Sequence, residues 1–387
     1  MVQITSFATV VLAIASCTSA WASPAPGHAA GHRATLGEGF EKRVRRAVAP
    51  LEERDLEERA VPNAKFKRAF SANYYSALVA VGASYTDNAH WRDSKYAGSL
   101  RDYAPYNKYG GRYSNGPVAV EYMVKSDASP ALKQQQGGVK LVDYAYGGSV
   151  VENGLSGTGS SWPAAKDQVA SYLSDLKAGK AAVGSGRVLH YFNSGINPVT
   201  QIWNNALSAG LSSDAIAKAK AGITANIQSY AAAMRSINKD SAAVAKLQGG
   251  VDFLLVGIPQ MDLVPSIGYQ VPGSYSSAKR SQALDLMKTL SNQYNSELKA
   301  LAAALKSENK NGRVFYYDLA ALWSSMHSSP KSFGITAGAS STCYNSSTGG
   351  VCGNPASYLY FDTLHPVTSV HKLMAQKMNA LVLGTSS

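Results

Sequence analysis

The sequence predicts an α/β fold: a three-layer α/β/α sandwich built on a five-stranded parallel sheet. Three observations lead there. Short apolar runs recur from about residue 70 onward, at 76–81, 139–145, 187–192, 251–258 and 313–319. They are nearly continuous in apolar residues rather than alternating, as strands buried on both faces are. Longer stretches of helical period lie between them, so the strands are expected to run parallel, joined by crossovers.

Taken in order, the first run enters the corner Gly82-Ala83-Ser84. A helical pattern at 118–125 follows the turn signal Asn115-Gly116-Pro117. The second run ends in DYAYGGS, and the helix predicted over 163–176 has Pro163 at its start, where a proline costs no hydrogen bond. The third run ends in FNSGINP and is followed by helices over 197–209 and 214–237. A long amphipathic stretch, 277–307, follows the fourth run, and a helix over 366–383 closes the chain. Right-handed crossovers then cover both faces of the sheet in a flavodoxin-like arrangement. In such sheets ligands bind outside the carboxyl ends of the strands, so reactive residues are expected just past strand ends. No internal repeat is visible.

The chain has 387 residues, 45% of them hydrophobic, enough for one large domain with a full core. Residues 1–22 read as a secretory signal, with an apolar stretch over 7–16 and a small-x-small site at Ala20-Trp21-Ala22. That stretch is too short to remain as a membrane span. Residues 23–68 start rich in Pro, Ala, Gly and His and become a dense mixture of charges. Such a segment cannot bury enough apolar surface to fold alone. With its pairs Lys42-Arg43, Arg45-Arg46 and Lys67-Arg68 it reads as a pro-segment, or else as a solvated arm. Residues 69–387 then form the folded domain of a secreted monomer with no stable membrane anchor.

The formal net charge is +12. The lysines and arginines are scattered and no dense basic run with interleaved aromatics follows residue 70, which argues against nucleic acid as a partner. A basic surface does suit an acidic polysaccharide or cell wall. Of three cysteines, Cys17 leaves with the signal, while Cys343 and Cys352 close the polar loop CYNSSTGGVC and are expected to form a disulfide. No CxxC, HExxH or histidine cluster accompanies them, so no metal or cofactor is expected. Asn345 heads a glycosylation sequon in the same loop.

Four strand ends or loops carry the parts that acyl transfer needs. Ser84 follows the first strand, Gly147-Gly148 the second, and Asn197 the third, while Asp362 stands three residues before His365 near the C-terminus. A serine hydroxyl is a weak nucleophile unless a base takes its proton, and an imidazole is suited to that task. Asp362 would orient the imidazole. The N–H groups of Ser84 and Gly148 and the Asn197 side chain would donate to an oxyanion. Alone, Ser84 is a turn residue, Asn197 a helix cap and His365 a loop histidine; the joint order carries the reading. Asp87 is expected to hold the nucleophile loop, and His90 and His371 are poorer placed as bases. The tyrosines near the first corner, among them Tyr74, Tyr75, Tyr85, Tyr103, Tyr106, Tyr109 and Tyr113, read either as loop packing or as faces for sugar rings. No GxSxG elbow surrounds Ser84, and GLSGTGSS at 154–161 lacks the lysine of a phosphate-binding loop.

These residues resemble the SGNH, or GDSL-type, serine esterases and acylhydrolases. VGASYTDN resembles the first block of that family, YAYGGS the second, SGIN the third and DTLHP the last. GRYSNGPVAVEYM at 111–123 and GIPQMDLVPS at 257–266 resemble the fungal secreted members grouped as carbohydrate esterase family 16. The resemblance implies an SGNH hydrolase fold, with Ser84, Asp362 and His365 as triad and Ser84, Gly148 and Asn197 as oxyanion donors. It implies a cofactor-free acetylesterase acting on acylated carbohydrate. Ala83, Asp143 and Pro198 stand where the family has Asp, Asn and Asp, so the loops of Ser84 and Asn197 are expected to be braced differently. A lipase or phospholipase of the same fold, and a carbohydrate- or cell-wall-binding protein that lost activity, are the alternative readings.

Overall fold

Five strands make one sheet: β1 (Tyr75–Gly82), β2 (Lys140–Asp143), β3 (Arg187–Asn193), β4 (Val251–Val256) and β5 (Val314–Tyr317). All pairings are parallel and the order is β2-β1-β3-β4-β5. The computed structural model describes residues 75–90, 109–132, 138–157 and 162–385. The expected signal and charged segment, 1–22 and 23–68, lie outside the described residues, as do Tyr74, Tyr103, Tyr106 and residues 158–161 of the glycine-rich loop.

Burial explains the near-continuous apolar runs. Every residue of β1, β3 and β4 is buried, whereas the edge strands β2 and β5 are half-covered. The helices are α1 (Ala119–Met123), α2 (Ala165–Lys177), α3 (Ile196–Ser208), α4 (Ser213–Lys239), α5 (Ser241–Val244), α6 (Pro265–Gln270), α7 (Ser277–Glu308), α8 (Leu319–Ser328) and α9 (Thr368–Leu383). Helices α2, α3, α4 and α7 pack on one another as one layer, and α1 packs on α9 as the other. The crossover from β1 to β2 runs toward one edge, and those from β3 to β5 run toward the other. With a single handedness this puts the two helix groups on opposite faces.

Two elements differ from expectation. The fifth strand stops at Tyr317 rather than Leu319, because the Asp318 side chain accepts from the Ala321 N–H at 3.0 Å and starts α8, a helix that the sequence reading does not place. Asn197 does not cap α3: Gly195 does, and Asn197 sits in the first helical turn.

The amino ends of the strands hold a buried charge cluster. Asp252, fully buried at the start of β4, accepts from the Tyr75 hydroxyl at 2.6 Å, from the Arg313 N–H at 2.7 Å and from the guanidinium groups of Arg187 and Arg313. Tyr75 is therefore a core residue at the end of the sheet away from Ser84. Cys343 and Cys352 form a disulfide that closes a short hairpin, β6 (Tyr344–Asn345) and β7 (Gly350–Val351). Asn345 is exposed on it. Among the described residues no helix is long and apolar enough to cross a membrane, and no group of three or more His, Cys, Asp or Glu could hold a metal ion.

Candidate active site

Ser84 stands two residues past β1, at the carboxyl end of the sheet. The turn that presents it is made by backbone: the Ala83 carbonyl accepts from both the Thr86 and the Asp87 N–H, each at 2.9 Å. No side chain at position 83 is needed to close it. A second brace comes from α2. The Gln168 amide oxygen accepts from the Gly82 N–H at 2.9 Å, and its nitrogen donates to the Gly82 carbonyl at 3.0 Å. The same nitrogen lies 3.0 Å from the Ser149 hydroxyl and 3.0 Å from the Pro163 carbonyl. Gln168 thus joins the end of β1 to the segment after β2.

His365 arrives from the other end of the chain. Its Nε2 lies 2.8 Å from the Ser84 Oγ, and its Nδ1 lies 2.7 Å from Asp362 Oδ2. Asp362 also accepts from the N–H groups of Leu364 at 2.8 Å and His365 at 2.7 Å, a tight Asx-type turn that holds carboxylate and imidazole on one side. Burial alone would push the Asp362 carboxyl up. The imidazole and these two N–H donors outweigh it and hold the group below its ordinary value. The segment before the turn is propped by the disulfide hairpin, since the Cys343 N–H donates to the Tyr360 carbonyl at 3.0 Å and the Tyr344 N–H to the Phe361 carbonyl at 2.6 Å. The Tyr85 hydroxyl donates to the Leu364 carbonyl at 2.7 Å, tying the serine loop to the histidine turn.

The segment after β2 runs alongside the serine corner, with the Tyr146 N–H donating to the Gly82 carbonyl at 3.3 Å. Its two glycines are required for different reasons. A Cβ at Gly147 would fall 2.2 Å from the Tyr113 ring, so the constraint is space. Gly148 has φ +82° with its nearest neighbour, Trp162, at 3.8 Å, so the constraint is backbone conformation. Gly148 is exposed, whereas Ser84 and His365 are buried, which leaves the Gly148 backbone open to a ligand. Asn197 joins the group from α3: its Nδ2 donates to the Ser149 carbonyl at 2.8 Å, and the second hydrogen of that amide remains for a ligand.

The structure therefore joins Ser84, His365 and Asp362 directly, and ties Asn197 to Ser149, the residue after Gly148. The two other histidines weighed as bases sit in different settings. His90 is exposed, with its ring edge-on to Tyr146, and His371 is fully buried in α9 behind Tyr85. Burial pushes the Tyr85 phenol well up, so it acts as a hydrogen-bond donor. The Tyr113 ring is tilted 31° to the His365 ring, with centroids 5.0 Å apart. Asp87 accepts from the Gly147 N–H at 2.6 Å, so it holds the glycine loop as well as its own. Sequence reasoning missed Gln168, because nothing local marks it: a helix glutamine becomes notable only beside a strand end 86 residues earlier.

Two comparisons with known proteins bear on this arrangement. The GDSL-like lipase/acylhydrolase family model matches residues 78–378. A thermolabile hemolysin of Vibrio parahaemolyticus serotype O3:K6 (strain RIMD 2210633) is 23% identical over 330 residues, covering 80% of this chain. The chain spans 64% of the length of that relative.

Proposed function

The chain belongs to the GDSL-like lipase/acylhydrolase family, and from that membership in a class of carboxylic ester hydrolases we propose a secreted serine esterase that removes short acyl groups, acetyl foremost, from carbohydrate. The observation that carries the chemistry is the continuous hydrogen-bond chain Ser84–His365–Asp362, with links of 2.8 and 2.7 Å.

In this reading His365 Nε2 takes the Ser84 proton as Oγ attacks the ester carbonyl. The tetrahedral oxyanion accepts from the N–H groups of Ser84 and Gly148 and from the Asn197 amide, each donor contributing roughly 10²–10³ in rate. His365 then gives the proton to the departing alcohol, leaving an acyl group on Ser84. Water, deprotonated by the same Nε2, attacks the acyl carbonyl, and Ser84 leaves with its proton restored. Asp362 keeps the Nδ1 proton in place and balances the imidazolium in both halves. No step needs a metal or redox group, and Asn345 on its exposed turn is a candidate glycan site for an exported enzyme.

Two features support a small acyl group and a sugar alcohol. Aromatic rings stand beside the glycine loop, Tyr113 against Gly147 and Trp162 against the exposed Gly148, and sugar faces pack well on such rings. Among the described residues, the exposed large apolar side chains are Tyr269 and Leu381, little surface for seating a lipid chain. The name of the hemolysin relative favours a second reading, action on membrane lipid. A p-nitrophenyl ester series from acetate to palmitate separates the two. We expect kcat/KM to fall as the chain lengthens past butyrate, with acetate released from acetylated xylan oligomers. Preference for long chains refutes the acetylesterase reading and favours the lipid one.

A further inference from the structure

Two hydrogen bonds join the serine loop to the histidine turn, between residues that are neighbours in each. Ser84 Oγ lies 2.8 Å from His365 Nε2, and the Tyr85 hydroxyl donates to the Leu364 carbonyl at 2.7 Å. The first lies between atoms that react. The second joins a phenol to a backbone carbonyl and takes no part in bond making or breaking.

Both partners of the second bond are held. The Tyr85 ring is buried, edge-on to His371 with centroids 5.9 Å apart and tilted against Trp323 at 6.1 Å. The Leu364 carbonyl belongs to the peptide unit that also carries the His365 N–H, and that N–H donates to Asp362 Oδ1 at 2.7 Å. Asp362 Oδ2 lies 2.7 Å from His365 Nδ1, and the Phe361 N–H closes the turn on the His365 carbonyl at 2.7 Å. One chain of hydrogen bonds therefore runs from the Tyr85 hydroxyl through the Leu364–His365 peptide to the Asp362 carboxylate and the imidazole. Bonds linked in this way polarise and strengthen one another.

The reaction itself removes the first bond. Before it, the Ser84 hydroxyl donates to Nε2, while Nδ1 carries the other proton toward Asp362. On acylation the bond from Oγ to the acyl carbon forms and the bond to the alcohol oxygen breaks. The Ser84 proton passes through Nε2 to the departing alcohol. An ester oxygen then faces an unprotonated nitrogen, two acceptors with no hydrogen between them. Deacylation still needs that nitrogen in place, because it takes the proton of the attacking water and returns it to Oγ as the acyl bond breaks.

We propose that Tyr85 is a positioning residue for deacylation, whose bond to the Leu364 carbonyl keeps the histidine turn docked on the serine loop while Ser84 is acylated. The inference rests on the ester-hydrolase reaction of the family and not on the choice of acyl group or alcohol. Before acylation both bonds hold the turn, so losing the second is partly offset by the first. Afterwards the second is the one of the pair that remains, and a shift of the base by about 1 Å costs on the order of 10²-fold.

The test is p-nitrophenyl acetate hydrolysis by wild type and Tyr85→Phe, which removes the hydroxyl and keeps the ring. With so good a leaving group, deacylation limits kcat, while kcat/KM reports acylation. For the variant we expect kcat to fall about tenfold and kcat/KM by less than about threefold, so that KM falls as well. Rapid mixing should show a burst of about one p-nitrophenolate per protein, with the acetyl group found on Ser84 by mass spectrometry. An unchanged kcat, or kcat/KM falling as far as kcat, overturns the proposal.

A second measurement needs neither activity nor the Tyr85 variant. Ser84→Ala cannot make the first bond, so amide hydrogen exchange over residues 361–365 reads what the second does alone. We expect exchange in Ser84→Ala to stay within about twofold of wild type, and to rise about tenfold when Tyr85→Phe is added. Exchange already that fast in Ser84→Ala, or no faster in the double variant, overturns the proposal. A wild type inactive on every ester refutes the ester-hydrolase reading instead, and the exchange rates then decide whether Tyr85 docks the turn.

Discussion

The two ends of the sheet each bury a carboxylate, and they use it differently. At the amino ends, Asp252 is saturated: two arginines, a tyrosine and a backbone N–H converge on its two oxygens, and most of these partners stand on or directly before strands. Those contacts outweigh the cost of burial and hold its carboxyl below the ordinary value. At the carboxyl ends, Asp362 accepts from an imidazole and from two N–H groups of its own turn, and the imidazole is shared with Ser84. The first arrangement fixes strand register and has no capacity left. The second keeps one ring nitrogen available for a moving proton. A sheet can thus be locked at one end while its other end, carried on loops, is left to react.

Removing the lock should give the largest effect. Asp252→Ala leaves two guanidinium groups and a phenol without their acceptor, and a loss of about 3–5 kcal/mol in unfolding free energy is expected. Chemical denaturation measures it, and the folded fraction should keep the wild-type kcat. A drop in kcat with stability unchanged would mean that the two ends are not separable.

At the reacting end the converse should hold. Gln168→Ala removes the clamp between Gly82 and Ser149, and kcat should fall about 10–100-fold with KM little changed. Stability should drop by only about 1–3 kcal/mol. Steady-state kinetics beside a melting curve checks both. A change in KM alone would place Gln168 outside the alignment of the site.

The smallest effect concerns His371, buried behind Tyr85 with both ring nitrogens lacking a hydrogen-bond partner. Burial, and secondarily the charge of His365, bring its pKa down to about 3, and burial brings His190 down to about 4. A base lowered by folding contributes stability above its ordinary pKa, about 6.5, and loses it as pH falls toward the folded value. The melting temperature should therefore decline as the solution is acidified below about pH 6.5. His371→Leu should make that decline shallower and leave stability at neutral pH equal or slightly higher, because no hydrogen bond is lost.

What could be read from the sequence divides along the same axis. Strands and helices were legible because buried strands are apolar throughout and the helices are amphipathic. The five candidate site residues could be named because each lies in a short motif, Ser84, Gly148 and Asn197 past strand ends and Asp362 and His365 in a loop near the C-terminus. The contacts that hold them were not. Gln168, Tyr85 and the Asp252 cluster depend on partners brought close by strand order, with Gln168 lying 86 residues from Gly82 and Tyr85 279 from Leu364. The substitutions at Ala83 and Pro198 looked like missing braces. The structure supports the Ser84 corner by backbone bonds to the Ala83 carbonyl and by Gln168. At position 198 a proline in the first turn of α3 gives up no helix hydrogen bond.

The central claim is that Ser84 is the residue acylated during turnover. Its most direct measurement is the intact mass and peptide map of the protein after reaction with a serine-directed fluorophosphonate, beside ester hydrolysis by wild type and Ser84→Ala. The account predicts one adduct, on the peptide containing Ser84, none on the variant, and hydrolysis reduced roughly 10⁴–10⁶-fold at an unchanged melting temperature. An adduct on another residue, or a folded Ser84→Ala that still hydrolyses esters at the wild-type rate, would contradict it.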